Sequence, residues 1–394
     1  MITVEEAQAL CLSGLEPLSQ EVIPLTEAAG RVLSASVRAS RAQPPFAASA
    51  MDGYAIAASA IRPGAQFTVV GEAPAGHAWP GRLQSGQALR IFTGAPVPEG
   101  ADAVVIQEDV TRQGNTITLG DHLGTGLNIR PEGADFKSDF QLEAPQRLGP
   151  AHMALLAAMN LGDVPVSRRP AVAIIATGDE LVMPGGHPRP DQIIASNLFA
   201  LKAMLEAEGA TARLLPIAVD TAPALDQAFD LAASADLVVT IGGASVGDHD
   251  LVGSTAARRG LDLAFHKIAM RPGKPLMAGR FGSTPFLGLP GNPVSAIVCG
   301  HLFLLPMVRR MMGLIDVLPP VLTARLTDAL GPNGPRAHYM RARMTEGPTG
   351  REVTPFDRQD SSLLTVLSEA NCLLVRPIQD RAREAGEPVQ VLPT

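Results

Sequence analysis

Three units between Ala171 and Met312, each a strand followed by a loop, decide the fold. The first is the strand Ala171-Val-Ala-Ile-Ile-Ala176 with the loop Thr177-Gly-Asp-Glu180, and the second is Asp236-Leu-Val-Val-Thr-Ile241 with Gly242-Gly-Ala-Ser-Val-Gly-Asp-His-Asp250. The third is Phe286-Leu-Gly-Leu289 with Pro290-Gly-Asn-Pro293. Short apolar runs that are bounded by Gly-rich turns and alternate with helical patterns predict βαβ units and a parallel sheet. Ligands bind at the carboxyl ends of the strands in such sheets. We therefore expect the three loops to converge on one site.

The composition indicates a folded protein with several domains. A length of 394 residues favours two to four domains, and an apolar fraction of 46% is ample for packed cores. The net charge of −7 gives no reason to expect nucleic acid as a partner. The N-terminus lacks an apolar signal core and no run reaches transmembrane length without polar breaks, which predicts a cytoplasmic protein with no membrane partner.

The segments outside the central module have their own patterns. Residues 3–14 predict a helix with a Thr3–Glu6 capping box, and apolar spacing predicts a second helix over 26–36. Short alternating runs from 56 to 147 predict a separate β domain, and Pro150 to Gly162 predicts a helix. Five further runs from 321 to 394 predict a C-terminal β-barrel or sandwich.

The glycine loop after Ile241 can offer consecutive backbone N–H groups to an anion. Gly242, Gly243, Ser245 and Gly247 would form this phosphate-binding cradle near a helix N-terminus. Gly-rich turns between a strand and a helix also arise simply for tight packing, so the loop alone leaves both interpretations open.

Several carboxylates follow strands of the same predicted sheet: Asp179, Glu180, Asp220, Asp248 and Asp250. Carboxylates beside phosphates repel the ligand unless a cation lies between them. Mg²⁺ suits this place because it is held by one or two carboxylates together with phosphate oxygens. The alternative is that some of these residues only cap helices, which fits Asp248, or are structural, which fits Asp179.

Two more turns are suited to oxyanions. The basic turn Arg271-Pro-Gly-Lys-Pro275 follows Lys267 by four residues, and its two prolines favour a rigid conformation. Pro290-Gly-Asn-Pro-Val-Ser295 places N–H groups and a hydroxyl at a helix N-terminus, with Asn292 as the expected cap. A solvated turn and a plain helix cap are the structural alternatives. The lone His249 and His266 are expected to be hydrogen-bonding groups, not metal ligands.

Together these loops resemble the molybdopterin molybdenumtransferase family, the MoeA proteins, which include the gephyrin E domain among their eukaryotic counterparts. The resemblance covers essentially the whole chain and rests on blocks in a fixed order: Ala50-Met-Asp-Gly-Tyr-Ala55, Phe92-Thr-Gly-Ala95, Gly100-Ala-Asp-Ala-Val-Val105, Asn128-Ile-Arg-Pro-Glu-Gly133, Thr177-Gly-Asp-Glu-Leu181, Gly242 to Asp250, Arg271 to Pro275, and Gly288 to Ser295.

The resemblance implies a multidomain α/β plus β fold with four domains. These are a helical N-terminal linking domain (1–45 and 146–168), an inserted β domain (46–145), a MogA/MoaB-like α/β domain with a mostly parallel sheet (169–316) and a C-terminal β-barrel (317–394). It also implies a cytoplasmic homodimer that contacts other molybdenum-cofactor synthesis proteins transiently. Its substrates would be molybdate and adenylylated molybdopterin, and it would insert molybdenum and release AMP with Mg²⁺ present.

The resemblance also implies roles for individual residues. Glu180, Asp220 and Asp250 match the acidic positions tied to nucleotide and Mg²⁺, and Lys267 matches a further active-site lysine. Asp52 and Thr93 match functional residues that reach the site from the β domain, which the resemblance places on the partner subunit. The positions around molybdate are matched by Arg271, Lys274, Ser295, Arg341 and Ser361. The glycine loop is expected to hold the phosphates, and Pro290 is a further substrate-binding position.

The sequence departs from the family pattern at two places. The glycine loop has Ala244 where Val is usual, and Arg271 replaces a Lys found in many members, which changes the geometry offered to an oxyanion. Arg343 and Ser362 compete with Arg341 and Ser361 for the oxyanion positions.

Three rival functions remain to be distinguished. A MogA/MoaB-type adenylyltransferase and a CinA-type nucleotide hydrolase share the central fold, but the Met51-Asp-Gly-Tyr54 block and the C-terminal domain count against both. A receptor-binding scaffold is the rival from outside the enzymes.

Overall fold

The protein is described by a computed structural model that covers residues 1–243, 251–348 and 350–394. The chain divides into two compact units. The first comprises Met1–Glu21, Gly30–Ser34 and Val166–Thr394, and the second comprises Val22–Ala29 and Ala35–Pro165. Each unit is described by itself below.

The first unit is built on a six-stranded, mostly parallel sheet. In spatial order its strands are Thr211–Leu214, Ala171–Ala176, Leu237–Ile241, Thr284–Leu289, Met277–Phe281 and Leu261–His266. The first four pair in parallel, and Met277–Phe281 pairs antiparallel with both of its neighbours. Residues 237–241 are buried throughout, as expected for a strand covered on both faces. The predicted parallel sheet is confirmed.

Helices cover both faces of this sheet, at Ser196–Glu208, Ala222–Ala232, Leu251–Arg258 and Pro293–Met311. The last of these contains a π-helical stretch, Gly300–Leu304, between two α-helical segments, Pro293–Cys299 and Leu305–Met311. It is the one helix among the described residues that is long and apolar enough to cross a membrane, but most of it is buried inside the protein. Burial of this kind is typical of the core helix of a globular domain.

The C-terminal part of the first unit is a closed barrel. In order round the barrel, its five strands are Ala337–Gly347, Gly350–Pro355, Leu322–Leu326, Pro388–Pro393 and Cys372–Arg376. Pairing of Cys372–Arg376 with Ala337–Gly347 closes it. The two-residue strand Met270–Arg271 of the central module adds to Ala337–Gly347 in parallel. This pairing ties the basic turn to the barrel wall. The helix Leu364–Glu369 between two barrel strands was not predicted.

The N-terminal helix, Val4–Leu12, has the predicted capping box between Thr3 and Glu6. Its buried face packs into the same core as the central sheet and the barrel residue Tyr339. The helix predicted over 26–36 was wrong. The structure has a 3-10 turn at Leu25–Glu27 and a strand at Val32–Leu33, because Gly30 adopts a φ of +76° that a right-handed helix cannot include.

The second unit is rich in β-structure, as predicted. Its six-stranded sheet has the order Ala103–Ile106, Gly53–Ile56, Gln87–Ile91, Gln66–Ala73, Thr116–Leu119 and Val110–Gln113. Two small ladders pair Ala48–Ser49 with Ile129–Arg130 and Val37–Arg38 with Gln141–Leu142. The helix predicted from Pro150 to Gly162 is shorter and spans Pro150–Ala158. The remaining short strands among the described residues are Gln20–Pro24, Gln146–Arg147, Asp163–Ser167, Leu181–Val182 and Ile193–Ile194.

Candidate functional site

A cleft of about 260 Å³ opens at the carboxyl edge of the central sheet. Residues from all three predicted loops line it, together with Asp220 and the basic turn: Thr177, Gly178, Glu180, Asp220, Gly242, Gly243, Pro275, Pro290 and Gly291, with Leu251 and Val252 of the next helix. The predicted convergence of the three loops is therefore confirmed. It follows from the parallel pairing of the strands that precede them.

Two glycines of the glycine loop are required for steric reasons. Gly242 and Gly243 have φ values of +93° and +61°, a region that L side chains rarely adopt. A Cβ on Gly242 would lie 2.9 Å from the carbonyl oxygen of Thr177, and one on Gly243 would lie 2.2 Å from Cγ2 of Val252. Close packing thus explains both glycines, while both still line the cleft.

Ser245, Gly247, Asp248, His249 and Asp250 lie outside the described residues.

An acidic group lies beside these glycines. The backbone N–H of Asp220 donates to Oδ1 of Asp179 at 3.0 Å, and Glu180 follows in the same loop. Burial, together with the charges of Asp179 and Glu180, raises the pKa of the Asp220 carboxyl above its ordinary value. Within 1–243, 251–348 and 350–394, no group of three or more His, Cys, Asp or Glu residues is arranged to hold a metal by itself. One or two carboxylates that leave the other positions to phosphate and water are nevertheless what Mg²⁺ requires.

The basic turn presents its cations at the surface. Arg271 and Lys274 are exposed, and the half-buried Lys267 has a φ of +73°. The turn is fixed by two hydrogen bonds, from the N–H of Lys267 to the carbonyl of Leu276 at 2.9 Å and from the N–H of Ile268 to the carbonyl of Lys274 at 3.1 Å. A non-glycine residue in the left-handed region costs of order 1–3 kcal/mol, and such residues cluster at functional sites.

Arg341 is the largest fully buried side chain among the described residues, with 0% exposure. Its Nη2 donates to the carbonyl of Asp360 at 3.0 Å, but Nε and Nη1 have no partner among the described atoms. Burial and the charge of Arg271 lower its pKa, while Asp360 opposes them. A buried guanidinium with two unpaired donors and a second cation nearby is an expensive arrangement unless an anion joins it.

The loop after the strand Gly350–Pro355 fixes Arg341 against the central module. The side chain of Gln359 exchanges hydrogen bonds with the Arg341 backbone, at 3.0 and 2.9 Å. Two residues further on, Ser361 is joined to the start of the long helix, since Asn292 Nδ2 donates to Ser361 Oγ at 3.1 Å and the Val294 N–H donates to the Ser361 carbonyl at 3.1 Å. Asn292 therefore occupies the N-cap position without a side-chain capping bond, which corrects the prediction of a plain cap.

The predicted competitors have different surroundings. Arg343 is exposed and donates to the carbonyl of Glu369 at 3.1 Å, and the hydroxyl of Ser362 donates to Asp360 Oδ1 at 2.6 Å. Ser295, in the first turn of the long helix, is buried with 4% exposure. Gln359 and Asp360 were missed by the sequence analysis because a polar loop between barrel strands has no pattern that distinguishes them.

Asp52 and Thr93 lie in the second unit and contact each other. The backbone N–H and the hydroxyl of Thr93 both donate to Oδ1 of Asp52, each at 2.8 Å, and these bonds, with a smaller effect of Arg90, lower the pKa of Asp52. Arg90 donates to the carbonyl of Gly53 at 3.0 Å, and its guanidinium lies 4.6 Å from the centre of the Phe92 ring. Arg90 was missed because an Arg within a strand normally indicates only an exposed strand face.

Comparison with known protein families agrees with this architecture. The description "MoeA N-terminal region (domain I and II)" matches residues 2–160, "probable molybdopterin binding domain" matches 173–310, and "MoeA C-terminal region (domain IV)" matches 323–394. The fold and site thus define a protein of molybdenum cofactor biosynthesis. A molybdopterin molybdenumtransferase of a Nostoc species is 36% identical over 94% of this chain and 88% of its own, and that of Haemophilus influenzae is 35% identical over 100% and 98%. The chain belongs to the molybdopterin molybdenumtransferase (MoeA) family of transferases.

Solved structures of the same family support the fold. A molybdopterin biosynthesis MoeA protein from Pyrococcus horikoshii superposes with a TM-score of 0.86 at 26% identity, over 100% of both chains. A second structure of a MoeA protein from that organism gives a TM-score of 0.84 at 28% identity, over 100% of this chain and 99% of its own. The predicted fold class, with its central α/β domain, inserted β domain and C-terminal barrel, is confirmed.

Proposed function

We propose that the protein inserts molybdenum from molybdate into adenylylated molybdopterin and releases AMP in a Mg²⁺-dependent step. One observation carries this proposal. The fully buried Arg341 has two donor nitrogens, Nε and Nη1, without a partner among the described atoms, and the positive charge of Arg271 lowers its pKa. A tetrahedral oxyanion such as molybdate would accept from one of these donors and offset the repulsion between the two cations.

The residues around Arg341 would complete the oxyanion site. Arg271 and Lys274 supply positive charge from the basic turn, and Lys267 is tied to the same turn. Ser361 supplies a hydroxyl from the barrel loop, and Ser295 supplies one from the first turn of the long helix. Hydrogen bonds join this loop to the start of that helix. We prefer Arg341 over Arg343 because Arg341 is buried with two unpaired donors and Arg343 is exposed. We prefer Ser361 over Ser362 because the exposed Ser362 hydroxyl already donates to Asp360, whereas the half-buried Ser361 hydroxyl accepts from Asn292 and can still donate.

The acidic cleft would hold the phosphates of the adenylylated substrate. Gly242 and Gly243 line it, and we assign Ser245, Gly247 and Pro290 to the same role from the sequence. Asp220, Glu180 and Asp250 would hold Mg²⁺, which supplies the positive charge that lets phosphate approach carboxylates. The dithiolene sulfurs of the substrate are the nucleophiles, so the protein contributes positioning and electrostatic stabilisation.

We further propose that the active form is a cytoplasmic homodimer. The support is the family resemblance, in which the positions of Asp52 and Thr93 serve the active site from the β domain of the partner subunit. We keep the four domains at the predicted boundaries, 1–45 with 146–168, 46–145, 169–316 and 317–394. Transient contact with other proteins of molybdenum cofactor synthesis belongs to the same proposal.

The decisive measurement is AMP release from adenylylated molybdopterin with and without molybdate. We expect release only when molybdate and Mg²⁺ are both present. Arg341→Met should reduce the molybdate-dependent rate about 10- to 100-fold, because a hydrogen bond to a charged group contributes roughly 1.5–3 kcal/mol. Arg343→Met, a control on the same strand, should stay near the wild-type rate.

Two results would contradict the proposal. AMP release that ignores molybdate would instead indicate a nucleotide hydrolase of the same central fold. Equal losses in Arg341→Met and Arg343→Met would show that the barrel wall matters as structure and that Arg341 does not bind the oxyanion.

A further inference from the structure

We infer that a second cleft, walled by Ile193 and Ile194, binds the planar nitrogen heterocycle of the substrate. This inference rests on the proposed function and assigns residues that the family resemblance did not supply. The cleft has a volume of about 470 Å³, which lies within the range of small-molecule sites. We call it the ring cleft and the acidic one the phosphate cleft.

The two clefts adjoin each other. They share six lining residues: Thr177, Glu180, Gly242, Pro275, Pro290 and Gly291. A ligand whose phosphate occupies the phosphate cleft can therefore extend a group attached to that phosphate into the ring cleft. Adenylylated molybdopterin carries such a group on each side of its phosphates, an adenine on one side and a pterin on the other.

The walls of the ring cleft are largely apolar, in contrast to the acidic phosphate cleft. Leu181, Ile193, Ile194 and Leu198 line it. Ile193 and Ile194 are 58% and 39% exposed, although they lie in a strand where apolar side chains normally face a core. Exposed branched side chains beside a polar site are the usual lining for the faces of a flat ring, since covering them removes apolar surface from water.

This wall is attached to the carboxylate loop. Leu181–Val182 pairs in parallel with Ile193–Ile194, and the N–H of Ile193 donates to the carbonyl of Glu180 at 2.7 Å. The Gln192 side chain also donates to the carbonyl of Asp179 at 3.4 Å. The loop that lines the phosphate cleft therefore also fixes the position of the apolar wall. A ligand would then have its phosphate and its ring held at a fixed distance from each other.

Asn197 gives the ring cleft a polar edge. Its Nδ2 donates to the carbonyl of Gly291 at 2.7 Å, which fixes the side chain between the clefts. Its Oδ1 accepts from the Ser196 hydroxyl at 3.5 Å, a long contact that leaves capacity for a better donor. Adenine and pterin both carry an exocyclic amino group, and this is the donor that Asn197 Oδ1 would accept.

Binding of AMP, of a 6-hydroxymethylpterin phosphate and of inorganic pyrophosphate separates the two clefts. Isothermal titration of the full-length protein with Mg²⁺ should show that Ile194→Ala weakens one of the two ring ligands about tenfold or more, as expected for loss of several buried methylene equivalents. Pyrophosphate affinity should be unchanged, because it has no ring. Ile194→Leu should restore most of the loss, and Ile315→Ala, a 71% exposed Ile outside the cleft, should change nothing.

The pattern among ligands identifies the occupant. A loss for AMP alone assigns the cleft to adenine, and a loss for the pterin phosphate alone assigns it to the pterin. Unchanged affinity for both, or an equal loss for pyrophosphate, overturns the inference. A changed oligomeric state with unchanged ligand affinity also overturns it, by showing that the wall belongs to an interface.

Failure of the proposed function can be recognised separately. If Ile194→Ala weakens a ring ligand but the wild type releases AMP without molybdate, the ring cleft stands and molybdenum insertion does not. If AMP release depends on molybdate and Ile194→Ala binds every ligand normally, the reverse holds.

Discussion

The Sγ atom of Cys299 lies directly beneath Gly273, so that a Cβ on Gly273 would sit only 2.5 Å from it. Gly273 also has a φ of +110°, and the side chain of Met270 closes the space on another side at 3.2 Å. The long core helix therefore supports the basic turn through a contact that admits no side chain. Burial raises the pKa of the Cys299 thiol, which therefore stays protonated, and its Sγ donates a weak hydrogen bond to the carbonyl of Gly273 at 4.0 Å.

Gly273→Ala should disturb the basic turn. Strain at positive φ and overpacking against Cys299 each cost of order 1–3 kcal/mol, so we expect a lower free energy of unfolding and weaker molybdate dependence of AMP release. Gly282→Ala is the matched control, because Gly282 has a φ of +58° with nothing within 4 Å of the added Cβ.

The double variant Gly273→Ala/Cys299→Ala tests the cause. It should recover part of the lost molybdate dependence, since the second change removes the atom that the new methyl group strikes. A Gly273→Ala protein that behaves like Gly282→Ala would show that the contact with Cys299 does not determine the turn.

The sequence predicted the convergence of loops because parallel pairing forces the carboxyl ends of neighbouring strands to one edge. It could not distinguish Arg341 from Arg343, since two arginines two residues apart in one strand look alike until the barrel closes and a loop covers one of them. It assigned Asn292 to a helix cap because Asn before Pro at a helix start usually has that role. In the structure the Asn292 side chain instead donates a hydrogen bond to Ser361, which is distant in sequence. The prediction of a helix over 26–36 was wrong because the spacing of apolar residues gives no information about the positive φ of Gly30.

Thr93→Val should raise the pKa of Asp52. The variant keeps the backbone N–H bond, which is the largest cause of the lowered pKa, and removes the hydroxyl bond, which is the second. Carbon-detected NMR titration of the Asp52 carboxyl gives the pKa directly. Thr111→Val, an exposed Thr on another strand of the same sheet, should leave that pKa unchanged. An Asp52 pKa that does not move in Thr93→Val would show that the hydroxyl bond is absent in solution.

Asp220→Asn should have opposite effects with and without metal. The carboxylate would attract Mg²⁺, but it repels phosphate when no metal is present. We therefore expect the variant to lose Mg²⁺-dependent AMP release, yet to bind AMP no worse than wild type in EDTA. Isothermal titration under both conditions separates the effects, with Asp316→Asn as an exposed control. Equal loss of AMP affinity in Mg²⁺ and in EDTA would mean that Asp220 supports the loop and not the metal.

His338 should make the barrel less stable in acid. Burial, followed by the positive charges of Arg271, Arg341, Arg376 and Arg336, lowers the pKa of His338 from 6.5 to about 4, and its Nε2 has no partner among the described atoms. Between these values the unfolded state binds a proton that the folded state does not. Stability is therefore unaffected above about pH 6.5 and falls as the pH drops towards 4, by roughly 3 kcal/mol in total.

The measurement is hydrogen exchange of the strand Ala337–Gly347, with wild type and His338→Gln compared at each pH from 7.5 to 4.5. Because Gln does not titrate, the variant should lose less protection on acidification, and the difference between the proteins should widen steadily below pH 6.5. His187→Gln, an exposed control, should follow the wild type. Parallel pH profiles for wild type and His338→Gln would contradict a neutral buried His338, because a group that titrates equally in both states cannot change stability with pH.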